Sequence, residues 1–134
     1  MNKYLFDTST CVFFIRGKIN LTEKFRRFGK ENFFVSEVTV AELRFGAEKS
    51  LNPLRSHHSL DAFLQEIIIV PIFNSIRRYA QEKVRLQKSG TLLHDEFDMF
   101  IGATALENDF ILVTNNTKHF ARFENIKLED WLWP

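Results

Sequence analysis

Four separated positions in this chain place a carboxylate or a carboxamide where a globular core would want neither. Asp7 directly follows the apolar run Tyr4-Leu5-Phe6, Glu42 interrupts one apolar helical stripe, Asp98 interrupts another, and Asn115-Asn116 follow Phe110-Ile111-Leu112-Val113-Thr114. Carboxylates brought together out of water repel one another and lose hydration, so a fold keeps such a cluster mainly when a cation neutralises it. The chemistry these residue types allow is oxygen ligation of a hard divalent ion.

Each position also has a plainer explanation. A helix beginning after Ser36 sets Val38, Ala41, Glu42 and Phe45 on one stripe, the spacing of a single helical face. Taken alone, Glu42 reads as an acid at the edge of that stripe, snorkelling to water and paired with Arg44 or Arg85. The helix after Asp95 puts Asp98, Ile101, Gly102 and Ala105 together. Its small residues would allow close approach to a sheet, and Asp98 would then point inward. First-turn acids are favoured by the helix dipole, a role that Asp95 and Glu96 fill more naturally than Asp98. Asn115-Asn116 suits an ordinary turn, since Asn tolerates left-handed backbone. The conjunction of all four is what favours a site.

The elements that must hold these residues can be read in order. Tyr4-Leu5-Phe6 is a short buried strand, and Thr8-Ser9-Thr10 offers hydroxyl caps for a following helix. A helix from about Ile19 to Lys30 precedes a strand at Phe33-Phe34-Val35. Ser36 starts a helix running to about Lys49, and Asn52-Pro53 opens another toward Gln65. Ile67-Ile68-Ile69-Val70 reads as a fully buried strand stopped by Pro71. A basic helix follows from about Ser75 to Lys88, ending at Gly90. Glu96 to Glu107 is a further helix, Phe110 to Val113 a strand, and Ile126-Lys127-Leu128 a last short one. Strands that are unbroken apolar runs, alternating with helices, predict a three-layer α/β/α sandwich whose central, mostly parallel sheet has four to five strands. Ligands gather beyond the carboxyl ends of such strands, where Asp7 and Asn115-Asn116 lie.

With 134 residues, 45% of them hydrophobic and fifteen of them Phe, one domain spanning 1–134 with a real core is expected. The net charge of +1 says little until its distribution is known. A single cysteine, Cys11, excludes an internal disulfide or a multi-cysteine zinc site, and suits core filling in a reducing cytoplasm. Neither a signal peptide nor a membrane span is visible, since Asp7 breaks the first apolar run at once. The pair His57-His58 lacks helix-spaced ligand geometry and reads as surface. Trp131 and Trp133 read as tethers of the chain end to the core.

Four stretches together resemble the PIN domains, and within them the VapC toxins of bacterial toxin–antitoxin pairs. They are Tyr4-Leu5-Phe6-Asp7-Thr8-Ser9, Val38 through Ala47, Phe97-Asp98-Met99-Phe100-Ile101-Gly102-Ala103, and Leu112 through Phe120; the closing Leu128-Glu129-Asp130-Trp131 is similar as well. The resemblance implies that Asp7, Glu42 and Asp98 are the acidic residues that hold Mg2+ or Mn2+. Asn116 falls where many members carry a fourth acid, and an Asn-Asn pair is similar to one toxin subgroup. Catalytic roles are thus expected for Asp7, Glu42, Asp98 and Asn116, with Ser9, Thr114 and Asn115 orienting the acids. Lys118, His119 and Arg85 are the candidates for RNA contact, whereas Arg77 and Arg78 read as a solvated face.

The activity so implied is metal-dependent endoribonuclease cleavage of structured RNA, with transfer RNA and the anticodon region of initiator transfer RNA as the expected target. With Asn116 neutral, a second ion is expected to arrive only with the RNA phosphate. The implied partners are a VapB-type antitoxin and a second copy of the chain, in a heterotetramer or larger assembly. Two other readings compete. One is a degenerate, non-catalytic RNA-binding PIN-like domain. The other is a phosphate-accepting receiver, which would want an acceptor acid where Ser36 and Pro71 follow the middle strands.

Overall fold

The computed structural model describes residues 1–132. Five strands, β1 (Tyr4–Phe6), β2 (Phe33–Ser36), β3 (Ile68–Val70), β4 (Ile111–Val113) and β5 (Lys127–Glu129), form one sheet in the order β3-β2-β1-β4-β5, with every neighbouring pair parallel. Each crossover carries helix: α1 (Thr8–Ile15) and α2 (Leu21–Phe28) after β1, then α3 (Glu37–Glu48) and α4 (Pro53–Leu64) after β2. α5 (Ile76–Ser89) and α6 (Glu96–Glu107) follow β3, and the single turn α7 (Thr117–Phe120) follows β4. The strand order runs one way from β1 to β3 and the other way from β4 to β5. The β1/β4 junction is therefore the switch point, where diverging connections leave a crevice at the strands' carboxyl ends.

Alternation along the strands feeds two cores. Tyr4, Phe6, Phe33, Val35, Ile111 and Val113 face α1, α2 and α4, while Leu5 and Leu112 face Leu86, Met99, Ile101, Phe120 and Phe123. The first layer is aromatic. Trp131 lies at its centre, with ring centroids 5.0 Å from Tyr4, 5.1 Å from Phe28 and 5.5 Å from Phe6. That seat ties the chain end to the sheet as expected; Trp133 lies outside the described residues. Cys11 is buried in the same layer, unpaired.

The structure departs from the sequence reading in several places. β3 is an edge strand rather than a fully buried one, with Ile68 and Ile69 each 45% exposed; a run of β-branched residues does not reveal which strand closes the sheet. Asp7, not the hydroxyls behind it, caps α1, and Thr8–Thr10 form its first turn. On α3 the buried side is Val38, Thr39, Leu43 and Ala47, while Ala41 and Phe45 face outward. Gly102 makes its close approach to the ring of Phe123 rather than to the sheet, because a Cβ there would sit 2.4 Å from that ring.

Candidate functional site

Asp7 leaves β1 in extended conformation and immediately becomes the cap of α1, a combination that pulls its carboxylate back over the switch point. Oδ1 accepts the Thr10 backbone N–H at 2.9 Å, and Oδ2 accepts the Thr114 hydroxyl at 2.6 Å. The Asp7 backbone N–H donates to the Val113 carbonyl at 3.2 Å. These bonds join the ends of β1 and β4 at a group only 4% exposed. Burial raises the Asp7 pKa above its ordinary value, the Thr114 and Thr10 bonds pull the other way, and repulsion from Asp130 adds to the rise.

Glu42 sits at the boundary between the buried and outward sides of α3. Its Oε1 accepts the Thr8 hydroxyl at 2.6 Å, which links α3 to the first residue of α1. Neither Arg44 nor Arg85 neutralises it: Arg44 bonds Asp61 and His57, and Arg85 bonds Glu82. Burial again raises its pKa, opposed by the Thr8 bond and reinforced by Asp95, Asp98 and Asp7. Asp98, in the first turn of α6, is raised first by burial and then by Asp95; His119 lowers it and Asp7 raises it further. Glu42 feels both Asp98 and Asp7, and Asp98 feels Asp7. Three elements thus converge on one charged cluster with no basic side chain among its causes except His119.

The other predicted site residues divide. The Thr114 hydroxyl donates to Asp7 and also accepts the Asn116 backbone N–H at 3.0 Å. Ser9 is exposed and takes no part in holding the acids; Thr8 and Thr10 on either side of it do. Asn115 is exposed, so it orients nothing in this arrangement. Asn116 is exposed too, and its side chain makes no cap bond to α7. Lys118 is exposed on the same turn. His119 reaches the cluster directly, with Nε2 2.9 Å from Asp98 Oδ2. The guanidinium of Arg85, a third exposed, bonds Glu82 through Nε and Nη2 and the Arg122 carbonyl at 2.7 Å. His57 pairs with Glu48 and Arg44, in keeping with a surface role.

Sequence reading missed Asp95 as a member of the cluster. Its carboxylate caps α6 by accepting from Phe97 and Asp98 N–H, the role assigned to it, yet its charge also bears on Glu42 and Asp98. The signal was its place three residues before Asp98, one helical turn away. Beside Glu42 a cleft of about 610 Å³ opens, lined by Thr8, Ala41, Phe45, Gly46, Lys49 and Phe97.

The donor set consists of carboxylate and hydroxyl oxygens, which suits Mg2+ or Mn2+. Raised carboxyl groups with little basic compensation also fit a cationic guest. Among the described residues no three His, Cys, Asp or Glu side chains are drawn around a single point.

Comparison with known proteins agrees with this geometry. The PIN domain family matches residues 4–126. The chain is 31% identical over 133 residues to the tRNA(fMet)-specific endonuclease VapC of Salmonella typhimurium, covering 98% of this chain and 99% of that one. It is 32% identical to Ribonuclease VapC2 of Haemophilus influenzae over 134 residues, covering 98% and 100%. Among solved structures it is similar to a DNA-bound VapBC from Salmonella typhimurium, with a TM-score of 0.89, 31% identity and coverage of 98% and 99%. VapBC2 from Rickettsia felis gives 0.85 at 28% identity, covering 96% and 98%. A five-stranded parallel sheet between helices, acids gathered at its switch point, and relatives alike along nearly the whole chain lead to one assignment: the chain belongs to the PIN-domain family, among the VapC ribonucleases.

Proposed function

We propose that this chain is the metal-dependent endoribonuclease toxin of a toxin–antitoxin pair, acting in the cytoplasm. The observation that carries the reading is the convergence of Asp7, Glu42 and Asp98 from three elements onto the switch point, each with its pKa raised by burial and by at least one acidic neighbour. Asp7, Glu42 and Asp98 would hold Mg2+ or Mn2+, which when bound supplies charge neutralisation at a phosphate and acidifies water. Thr114 and Thr8 keep Asp7 and Glu42 aimed. Asp95 adds negative charge at the edge of the cluster. Lys49 in the adjacent cleft and Lys118 on α7 are the cations placed to receive an RNA backbone.

The substrate inferred is transfer RNA, with the anticodon region of the initiator species as first choice; similarity to an enzyme named for tRNA(fMet) supports it. A VapB-type antitoxin is the inferred partner, supported by the VapBC complexes among the similar structures. A homodimer, and a heterotetramer or larger with antitoxin, complete the reading. Incubation of the purified protein with total RNA, with and without chelator, followed by mapping of cut ends, tests it. Cleavage of one transfer RNA class that stops on chelation is expected. RNA bound but never cut at any metal concentration would turn the reading to a non-catalytic RNA-binding domain.

A further inference from the structure

His119 differs from the other cations after β4 because it touches the acid cluster. Its Nε2 lies 2.9 Å from Asp98 Oδ2, and against a carboxylate that nitrogen donates. The imidazole is 24% exposed and stands edge-on to the Phe120 ring at 5.2 Å, whereas Lys118 beside it is exposed. A side chain meant for a phosphate would not ordinarily be docked on an acid.

The backbone beneath the imidazole is braced from both sides. The His119 N–H donates to the Asn116 carbonyl at 3.1 Å, and the next residue, Phe120, is 1% exposed. Behind α7, Glu82 on α5 is buried, accepts from Nε and Nη2 of Arg85, and accepts the Glu124 N–H at 3.4 Å. Arg85 in turn donates to the Arg122 carbonyl. This partly exposed ion pair thus ties Arg122 and Glu124, which follow α7, to α5.

We propose that His119 is a positioning residue: it holds Asp98 by Oδ2, so that Oδ1 is the oxygen the acid presents to a divalent cation. Asp98 needs such a holder more than Asp7 does, since its side chain is 25% exposed and its backbone neighbours offer it no cap bond. The role rests on the reading of the cluster as a metal-dependent nuclease site. It differs from that reading in assigning to the residue after Lys118 an effect on metal rather than on RNA.

Calorimetric titration of Mn2+ into wild type, Asp98→Asn, His119→Ala and His119→Gln at one pH, with RNA affinity measured separately in chelator, separates these roles. Loss of the imidazole should weaken Mn2+ by about 10- to 100-fold, the usual effect of removing a group that orients a ligand. RNA affinity without metal should be little changed, and His119→Gln, whose amide still donates, should recover most of the Mn2+ affinity. Circular dichroism melts confirm that each variant is folded; if His119→Ala is not, the comparison of His119→Gln with wild type and Asp98→Asn stands in its place, with intermediate affinity expected. Wild-type Mn2+ binding lost in Asp98→Asn but untouched in both His119 variants overturns the proposal alone. A weakened RNA affinity with unchanged Mn2+ binding overturns it too, in favour of a phosphate contact. Absence of Mn2+ binding by wild type overturns the nuclease site and the proposal together.

Discussion

The two sides of the acid cluster are built differently. Asp7 is held by a backbone N–H, a threonine hydroxyl and the pairing of two central strands, and is 4% exposed. Asp98 hangs from the first turn of α6, a quarter exposed, and meets one partner supplied by a four-residue helix. The sheet side is prearranged by the same bonds that make the fold, whereas the helical side depends on how α6 and α7 sit against each other. One wall of the site is thus set by strand pairing and the other by helix packing.

The sharpest break in this contrast is Asp7→Asn. It removes the charge at nearly constant size, keeps an acceptor for the Thr10 N–H and turns the Thr114 contact into one where the amide donates, so cleavage should fall to background in a nuclease assay while the circular dichroism spectrum is unchanged. Next comes the response to pH and metal. Asp7 binds its proton more tightly in the folded than in the unfolded chain, so the folded state carries extra protons between the ordinary value of 3.8 and the raised one. The stability advantage of wild type is whole below that ordinary value and is lost as pH rises through the raised one. Urea denaturation in chelator should therefore show wild type losing ground to Asp7→Asn as pH rises over that interval. Mg2+ at a hundred times its dissociation constant should return about 2.7 kcal/mol to wild type at neutral pH. A flat difference between the two proteins would mean that Asp7 is not strained by its burial.

Gly102→Ala probes the helical wall. Its new methyl meets the Phe123 ring, which follows α7, so α6 and α7 must separate. Overpacking of this kind costs about 1–3 kcal/mol in denaturation, and Mn2+ affinity should drop with it because Asp98 and His119 are drawn apart. The smallest effect is expected of Asn116→Ala. An exposed side chain with no cap bond should change stability by less than about 0.5 kcal/mol, and cleavage should stay measurable where Asp7→Asn shows none. If Asn116→Ala matches Asp7→Asn in the same assay, α7 moves onto the substrate more than its present position shows.

Sequence periodicity located the strands and most helices because each strand is an apolar run and each helix repeats its apolar residues every three or four positions. The end of a run was legible too: Asp7 after Phe6 and Thr114 after Val113 are polar residues at parallel strand ends, and they meet. What stayed hidden was pairing. A sequence does not say that Thr8 rather than Ser9 turns toward Glu42, since one helical residue rotates the direction by more than a quarter turn. Nor does it say that Arg85 belongs to Glu82, because a basic helix offers several acids at equivalent spacing. A single turn such as Thr117–Phe120 is too short to show periodicity, and with it His119 was placed among phosphate-binding cations rather than against Asp98.

The bonds of Asp7 to Val113 and Thr114 also set an order of events during synthesis. They join partners more than a hundred residues apart, and β4 in turn needs β5, which ends at Glu129. Because the ribosome delivers the amino end first, Asp7 waits until β4 has been made before its carboxylate can be fixed. A truncated or still-growing chain therefore has its acids but not their arrangement. The acid arrangement comes into being only once β4 and β5 have been made.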